Sequence, residues 1–148
     1  MKFTSYYLDS PIQKGRVFDV FEPYAGTEKK DFAVFLVHGG GWRAGSRDVH
    51  HIKMDELCRR GYFCASTDYR LNAKDAFEQL SDIREAYDKF IEVLKEHGIE
   101  NPRIAVYGGS FYPPHKGHKL LAENLSRFCG ADRVVIIPTA MSPFKDKS

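Results

Sequence analysis

Apolar positions along this chain fall into short runs and one long stripe, with two different periods. Residues 32–37, FAVFLV, form a near-continuous apolar run, the pattern of a strand covered on both faces. Arg16–Phe21 alternates and is rich in β-formers, which predicts an early edge or antiparallel strand. Tyr62–Thr67, Ile104–Tyr107 and Val134–Ile137 are further strand-length runs. Between them lie helical patterns. Val49–Arg60 is closed by Gly61, and His115–Phe128 precedes the last strand. From Asp75 to His97, the residues Ala76, Phe77, Leu80, Ile83, Tyr87, Phe90, Val93 and Leu94 recur at three- and four-residue steps. Asp75 is placed to cap that helix, and Gly98 stands where a left-handed C-terminal residue belongs. Strand and helix alternate from Phe32 to Ile137. The chain is therefore expected to be α/β, a three-layer sandwich with a mostly parallel sheet and helices on both faces. With no repeat and no linker, residues 1–148 are expected to form a single domain.

Composition adds exclusions. A hydrophobic fraction of 43% and a charged fraction of 28% are ordinary for a globular chain. A formal net charge of +2 makes no electrostatic case for nucleic acid as a partner. The start MKFTSYYLDS has no apolar core, so no signal peptide is expected. The apolar runs are strand-length, so no membrane span is expected either, and the expected location is cytoplasmic. Cys58, Cys64 and Cys129 are an odd set without C-x-x-C spacing and read as buried or half-buried thiols in a reducing compartment. His50, His51 and His97 read as solvated helix residues.

The candidate chemistry begins at His38-Gly39-Gly40-Gly41-Trp42, which closes a buried strand, and continues at Asp68-Tyr69-Arg70-Leu71 after the next one. Three glycines let backbone N–H groups converge on one point, as an oxyanion site requires. The two motifs at this separation resemble the esterase/lipase branch of α/β-hydrolases, over residues 12 to 110. The resemblance implies a truncated α/β-hydrolase fold, an oxyanion-like loop at His38–Gly41, and Ser110 in the place of the nucleophile. Here, however, the string is Gly108-Gly109-Ser110-Phe111-Tyr112, with Tyr112 where the elbow's second glycine belongs. Pro113 and Pro114 delay the following helix to about His115. The sequence also ends before the strands that bring that family's acid and histidine. Ester hydrolysis by Ser110 is therefore the least favoured activity.

From Arg103 onward the string RIAVYGGSFYPPHKGHKLLAENL, with DRVVIIPTAMSPFKDK after it, resembles the N-terminal part of a nicotinate-nucleotide adenylyltransferase. That resemblance implies a Rossmann-like nucleotide site at Gly108, Gly109, Ser110, Phe111, His115, Gly117 and His118. His115 and His118 would stabilise charge on the α-phosphate of ATP, which brings Mg²⁺ with it. No protein metal ligands and no tightly bound cofactor are expected. Glycines allow close approach to phosphate, and histidines three residues apart at a helix start share one face. The later part of such a transferase is missing, so turnover is not expected. Residues 1–102 thus read as hydrolase-like and 103–148 as nucleotidyltransferase-like, joined within the strand at 103–110. A clean switch inside a short shared string implies recombination, natural or deliberate. The two glycine-rich loops are expected to sit side by side, and an open sheet edge to permit a homodimer. Three functions stay open: a nucleotide or phosphate binder, a folded chimera without catalysis, and a carboxylic-ester hydrolase.

Overall fold

Five strands are laid down in a computed structural model that describes residues 1–108. In chain order they are β1 (Phe3–Tyr7), β2 (Val17–Phe21), β3 (Phe32–Val37), β4 (Phe63–Thr67) and β5 (Arg103–Gly108). Helix α1 (His51–Arg59), entered through a 3-10 turn at Arg47–His50, joins β3 to β4, and α2 (Ala76–Glu96) joins β4 to β5. The strands form one sheet in the order β1-β2-β4-β3-β5. β4, β3 and β5 pair in parallel, whereas β1 pairs antiparallel with β2 and β2 with β4. The described sheet is therefore mixed, parallel on one side and antiparallel on the other.

The alternation of side chains along the strands sorts them into two layers. Phe18 and Val20 of β2, Ala33 and Phe35 of β3, Phe63 and Ala65 of β4 and Ile104 of β5 pack with Ala86, Phe90, Val93 and Leu94 of α2. The opposite face joins Phe21 and Cys64 to Met54 and Cys58 of α1, with Val34 and Leu36 against them. Each residue step in β3 thus serves a different helix, which is why its sequence is apolar without interruption. The three layers and the helices on both faces are as the periodicity predicts.

Helix ends follow the expected chemistry. The Asp75 carboxylate accepts the Glu78 N–H at 3.0 Å, and Gly61 and Gly98 take φ of 96° and 87° after α1 and α2. Of the two readings of Arg16–Phe21, the antiparallel one holds: β2 pairs antiparallel with both neighbours and is not an edge, because β1 lies outside it. Other expectations need correction. His50 is buried, and His97 is half-buried, its ring spanning Glu22 Oε1 at 3.0 Å and the Val93 carbonyl at 2.8 Å. The His50 ring is closed off by neighbouring elements, while the His97 ring is held by two partners and keeps 30% of its side-chain surface exposed. The N-terminal half of the α2 stripe is also different: Phe77 and Leu80 are exposed, and Gln79 and Asp82 are buried in their place. The helix expected at His115–Phe128, the strand at Val134–Ile137, Cys129 and the proposed open edge beyond them lie outside the described residues. Among the described residues, no helix is long and apolar enough to cross a membrane.

Candidate functional site

The chain leaves β3 at Val37 and bends through His38–Trp42. Gly40 has φ 131°, and a Cβ placed on it would stand 2.0 Å from the Ala44 carbonyl oxygen, so the bend requires glycine. The Gly40 carbonyl accepts the N–H groups of Arg43 and Ala44, each at 3.2 Å, which closes a tight turn. Trp42 lies at φ 67°, a left-handed conformation that costs a residue with a Cβ about 1–2 kcal/mol. Two donors on its carbonyl hold it there: the Asn72 N–H at 3.2 Å and the Gln79 side-chain amide at 2.8 Å. The same amide reaches the Arg70 carbonyl at 2.7 Å, clamping the two motifs together. Among the described residues, no acceptor takes the N–H of Gly40 or Gly41. Those donors are available to an anion.

Asp68-Tyr69-Arg70-Leu71 supports this loop from β4. The Tyr69 ring stacks on His38 with centroids 4.2 Å apart, and its hydroxyl donates to the His38 carbonyl at 3.0 Å. Burial, and then the Asp68 charge, push the Tyr69 phenol up to about 12, so it stays a neutral donor near neutral pH. Asp68 receives the Arg47 N–H at 2.7 Å and its guanidinium at 2.6 Å, and the same guanidinium reaches buried Asp19 at 2.9 Å. Arg70 turns the other way, to Asp82 at 2.8 Å and to Glu78. A cavity of about 530 Å³ opens beside the motif, lined by Lys14, Ser46, Asp68, Arg70 and Glu78 among others.

His38 is 3% exposed, so it forms the floor of the loop and presents no base to solvent. Its Nδ1–H donates to the Gly39 carbonyl at 2.8 Å, and its buried Nε2 has no partner among the described residues. Burial lowers its pKa, against the opposing effects of that carbonyl and of Asp68.

β5 brings Gly108, the first residue of the second motif, to the same edge. Its pairing with β3 is in register from Phe32 opposite Arg103 to Val37 opposite Gly108. A Cβ on Gly108 would lie 2.4 Å from the Val37 carbonyl oxygen, so this glycine is needed for close strand approach. His38–Gly41 and the segment that starts at Gly108 therefore leave adjacent parallel strands at one level. Gly109, Ser110, Phe111, His115, Gly117 and His118 lie outside the described residues.

Asp19, Asp48 and His51 bring one ligand atom each within 4.8 Å of one another. The Asp19 carboxylate already takes the Ser5 hydroxyl at 2.6 Å and the Arg47 guanidinium, a fixed positive charge that opposes a cation there. Sequence reasoning missed Asp19, Arg47, Gln79 and Asp82. Arg47 sits in a polar loop string and Gln79 beside an apolar stripe, so neither carries a local signal.

Comparison with known proteins divides the chain as the motifs do. Residues 18–111 match the BD-FAE family model, and residues 106–148 match the cytidylyltransferase-like model. The two overlap at 106–111, which takes in the end of β5. Over 45 residues the chain is 51% identical to the probable nicotinate-nucleotide adenylyltransferase of Treponema pallidum (strain Nichols), covering 30% of this chain and 22% of that protein. Over 42 residues it is 50% identical to the probable nicotinate-nucleotide adenylyltransferase of Sulfurimonas denitrificans, covering 28% of this chain and 23% of that one. The chain thus spans less than a quarter of the length of these relatives.

Solved structures resemble it in fold. Esterase B from Lactobacillus Rhamnosis (HN001) superposes with TM-score 0.67 at 22% identity, over 90% of this chain and 44% of that one. The Francisella virulence factor BioJ gives 0.59 at 23% identity, over 74% and 35%. The match over residues 18–111 takes in more than half of the sequence. The chain therefore belongs to the BD-FAE family of esterase/lipase α/β-hydrolases, and over residues 106–148 it is similar to nucleotidyltransferases.

Proposed function

We propose that the chain binds the phosphate groups of a nucleotide, ATP with its Mg²⁺ foremost, at the segment from Gly108 to His118, without turnover. One observation carries this reading. The register that sets Gly108 opposite Val37 starts the G-G-S-F-x-P-P-H-x-G-H string beside the His38–Gly41 loop, whose Gly40 and Gly41 N–H groups have no acceptor among the described residues. Glycines there admit phosphate oxygens to the backbone, and His115 and His118 supply two further donors at helical spacing. The similarity to nucleotidyltransferases over residues 106–148 supports a nucleotide as the ligand. Positioning and charge stabilisation are the whole of the chemistry this segment offers, with no covalent intermediate.

Ester hydrolysis by Ser110 is the second reading, supported by the same unpartnered N–H groups and by the family match that runs to residue 111. Tyr112 in place of glycine and the prolines at 113 and 114 count against it, because a nucleophile elbow turns straight into a helix. A folded chimera without any ligand is the third.

Calorimetry separates the three. ATP with Mg²⁺ is expected to give binding heat that His118→Ala weakens at least tenfold, about 1.4 kcal/mol. Equal heats for the two proteins, or none, would count against the nucleotide reading, and no heat would favour the inert chimera. Hydrolysis of p-nitrophenyl acetate is expected at the same background rate in wild type and Ser110→Ala. A rate that falls in the variant would favour the esterase instead.

A further inference from the structure

Trp42 stands where neither packing nor backbone preference asks for a large apolar residue. Its φ of 67° is left-handed, yet 40% of its surface stays exposed, so burial does little to offset that conformation. Hydrogen bonds do instead: the Asn72 N–H at 3.2 Å and the Gln79 amide at 2.8 Å both donate to the Trp42 carbonyl. The loop is thus pinned through its backbone. On one side the indole leans on Tyr69, with ring centroids 5.1 Å apart and planes inclined at 57°. Tyr69 is itself fixed, stacked on His38 at 4.2 Å and bonded through its hydroxyl to the His38 carbonyl. Three rings therefore stand in a row, of which His38 and Tyr69 are buried and Trp42 meets solvent.

We propose that the Trp42 indole is the platform on which the base of the bound nucleotide stacks, and that it selects a nucleotide over a bare polyphosphate. This subsite rests on the nucleotide reading above. Gly40 and Gly41, whose N–H groups have no acceptor among the described residues, immediately precede Trp42. Consecutive Cα atoms stand about 3.8 Å apart, so phosphate oxygens at these donors lie within a nucleotide's length of the indole. Every base has a flat face that an open aromatic ring can cover. A ring already held by its neighbours also loses little freedom when the base settles on it.

The other planar groups of the two motifs are taken. His38 and Tyr69 are each 3% exposed, and Arg70 is held by Asp82 at 2.8 Å and by Glu78. Arg47, the neighbouring guanidinium, is held by Asp19 at 2.9 Å and Asp68 at 2.6 Å. Trp42 keeps its face open.

Trp42 is the single tryptophan of the chain, so its emission reports on this subsite directly. The test titrates the full chain with ATP and with inorganic triphosphate, each with Mg²⁺, by calorimetry and by fluorescence excited where adenine does not absorb. ATP is expected to quench the emission, and triphosphate to bind without quenching it. Trp42→Ala is expected to weaken ATP about tenfold and to leave triphosphate unchanged, whereas Trp42→Phe, which keeps a ring, retains most of the ATP affinity. Binding heat for ATP with the emission unchanged, or Trp42→Ala binding ATP as the wild type does, overturns the stacking proposal and leaves the nucleotide reading standing. Equal weakening of both ligands in Trp42→Ala overturns it too, since the residue then only supports the loop. Absence of heat with ATP removes the nucleotide reading and this subsite with it. If Trp42→Ala does not fold, the quenching in the wild-type chain decides.

Discussion

His50 closes the 3-10 turn before α1, with its ring against the Val37 carbonyl, and it is 9% exposed. Burial, and then the Lys53 charge, lower its pKa to about 4 despite the hydrogen bond to that carbonyl. The unfolded chain takes up this proton near pH 6.5, and the folded protein only near pH 4. Stability is therefore expected to be full above pH 6.5 and to fall as pH drops from there to about 4, by roughly 2–3 kcal/mol. Urea midpoints measured across that range test this, and His50→Gln is expected to flatten the slope. Its sequence context, V-H-H-I at a helix start, looks like a surface. Only the packing of the turn against the end of β3 buries it. Asp75, Gly61 and Gly98, by contrast, were legible, because capping depends on neighbours along the chain.

At the scale of the element, α2 shows where periodicity succeeds and where it stops. Its C-terminal half buries Ala86, Phe90, Val93 and Leu94 against the sheet, all but Ala86 on the stripe read from sequence. Its first turns extend past the apolar sheet toward the loop side, where the neighbours are Arg16, Arg70 and the Trp42 carbonyl. The face turned inward there is polar. Asp82 is fully buried, taking Arg16 at 2.6 Å and Arg70 at 2.8 Å, while Asp9 and Glu85 complete the cage around Arg16. Burial pushes the Asp82 carboxyl up, but Arg70, its backbone N–H and Arg16 outweigh that and hold it below the usual range. Its contribution is accordingly present above pH 4 and lost as acid protonates it through its lowered pKa. Removing it strands two guanidinium groups, so Asp82→Ala is expected to lose about 3–5 kcal/mol in urea denaturation at pH 7. β1 escaped the reading for a related reason. FTSYY is half exposed, and its strand character comes from pairing with β2.

For the whole molecule the decisive contact is β3 with β5, since it carries the join between the two similarities into one sheet. Val37 opposite Gly108 leaves no room for a side chain on Gly108. Gly108→Ala is expected to force the strands apart and destabilise the protein by about 1–3 kcal/mol, read as a lower urea midpoint. If the midpoint does not move, β5 does not lie in this register. The glycine motif itself was plain in the sequence. The placement of its first glycine beside the end of β3 followed there from the family's order of strands, and here it rests on hydrogen-bonded register.

Local patterning by itself determined the α/β class, the positions of four strands and two helices, the caps and both motifs. Each of these depends on neighbours within a few residues, or on alternation along one segment. Tertiary structure alone decided the pairing of β1 outside β2, the burial of His50, the Asp82 cage and the Gln79 clamp. These join residues far apart in the chain or turn on which side chains a packed layer excludes from water, and neither leaves a period in the sequence.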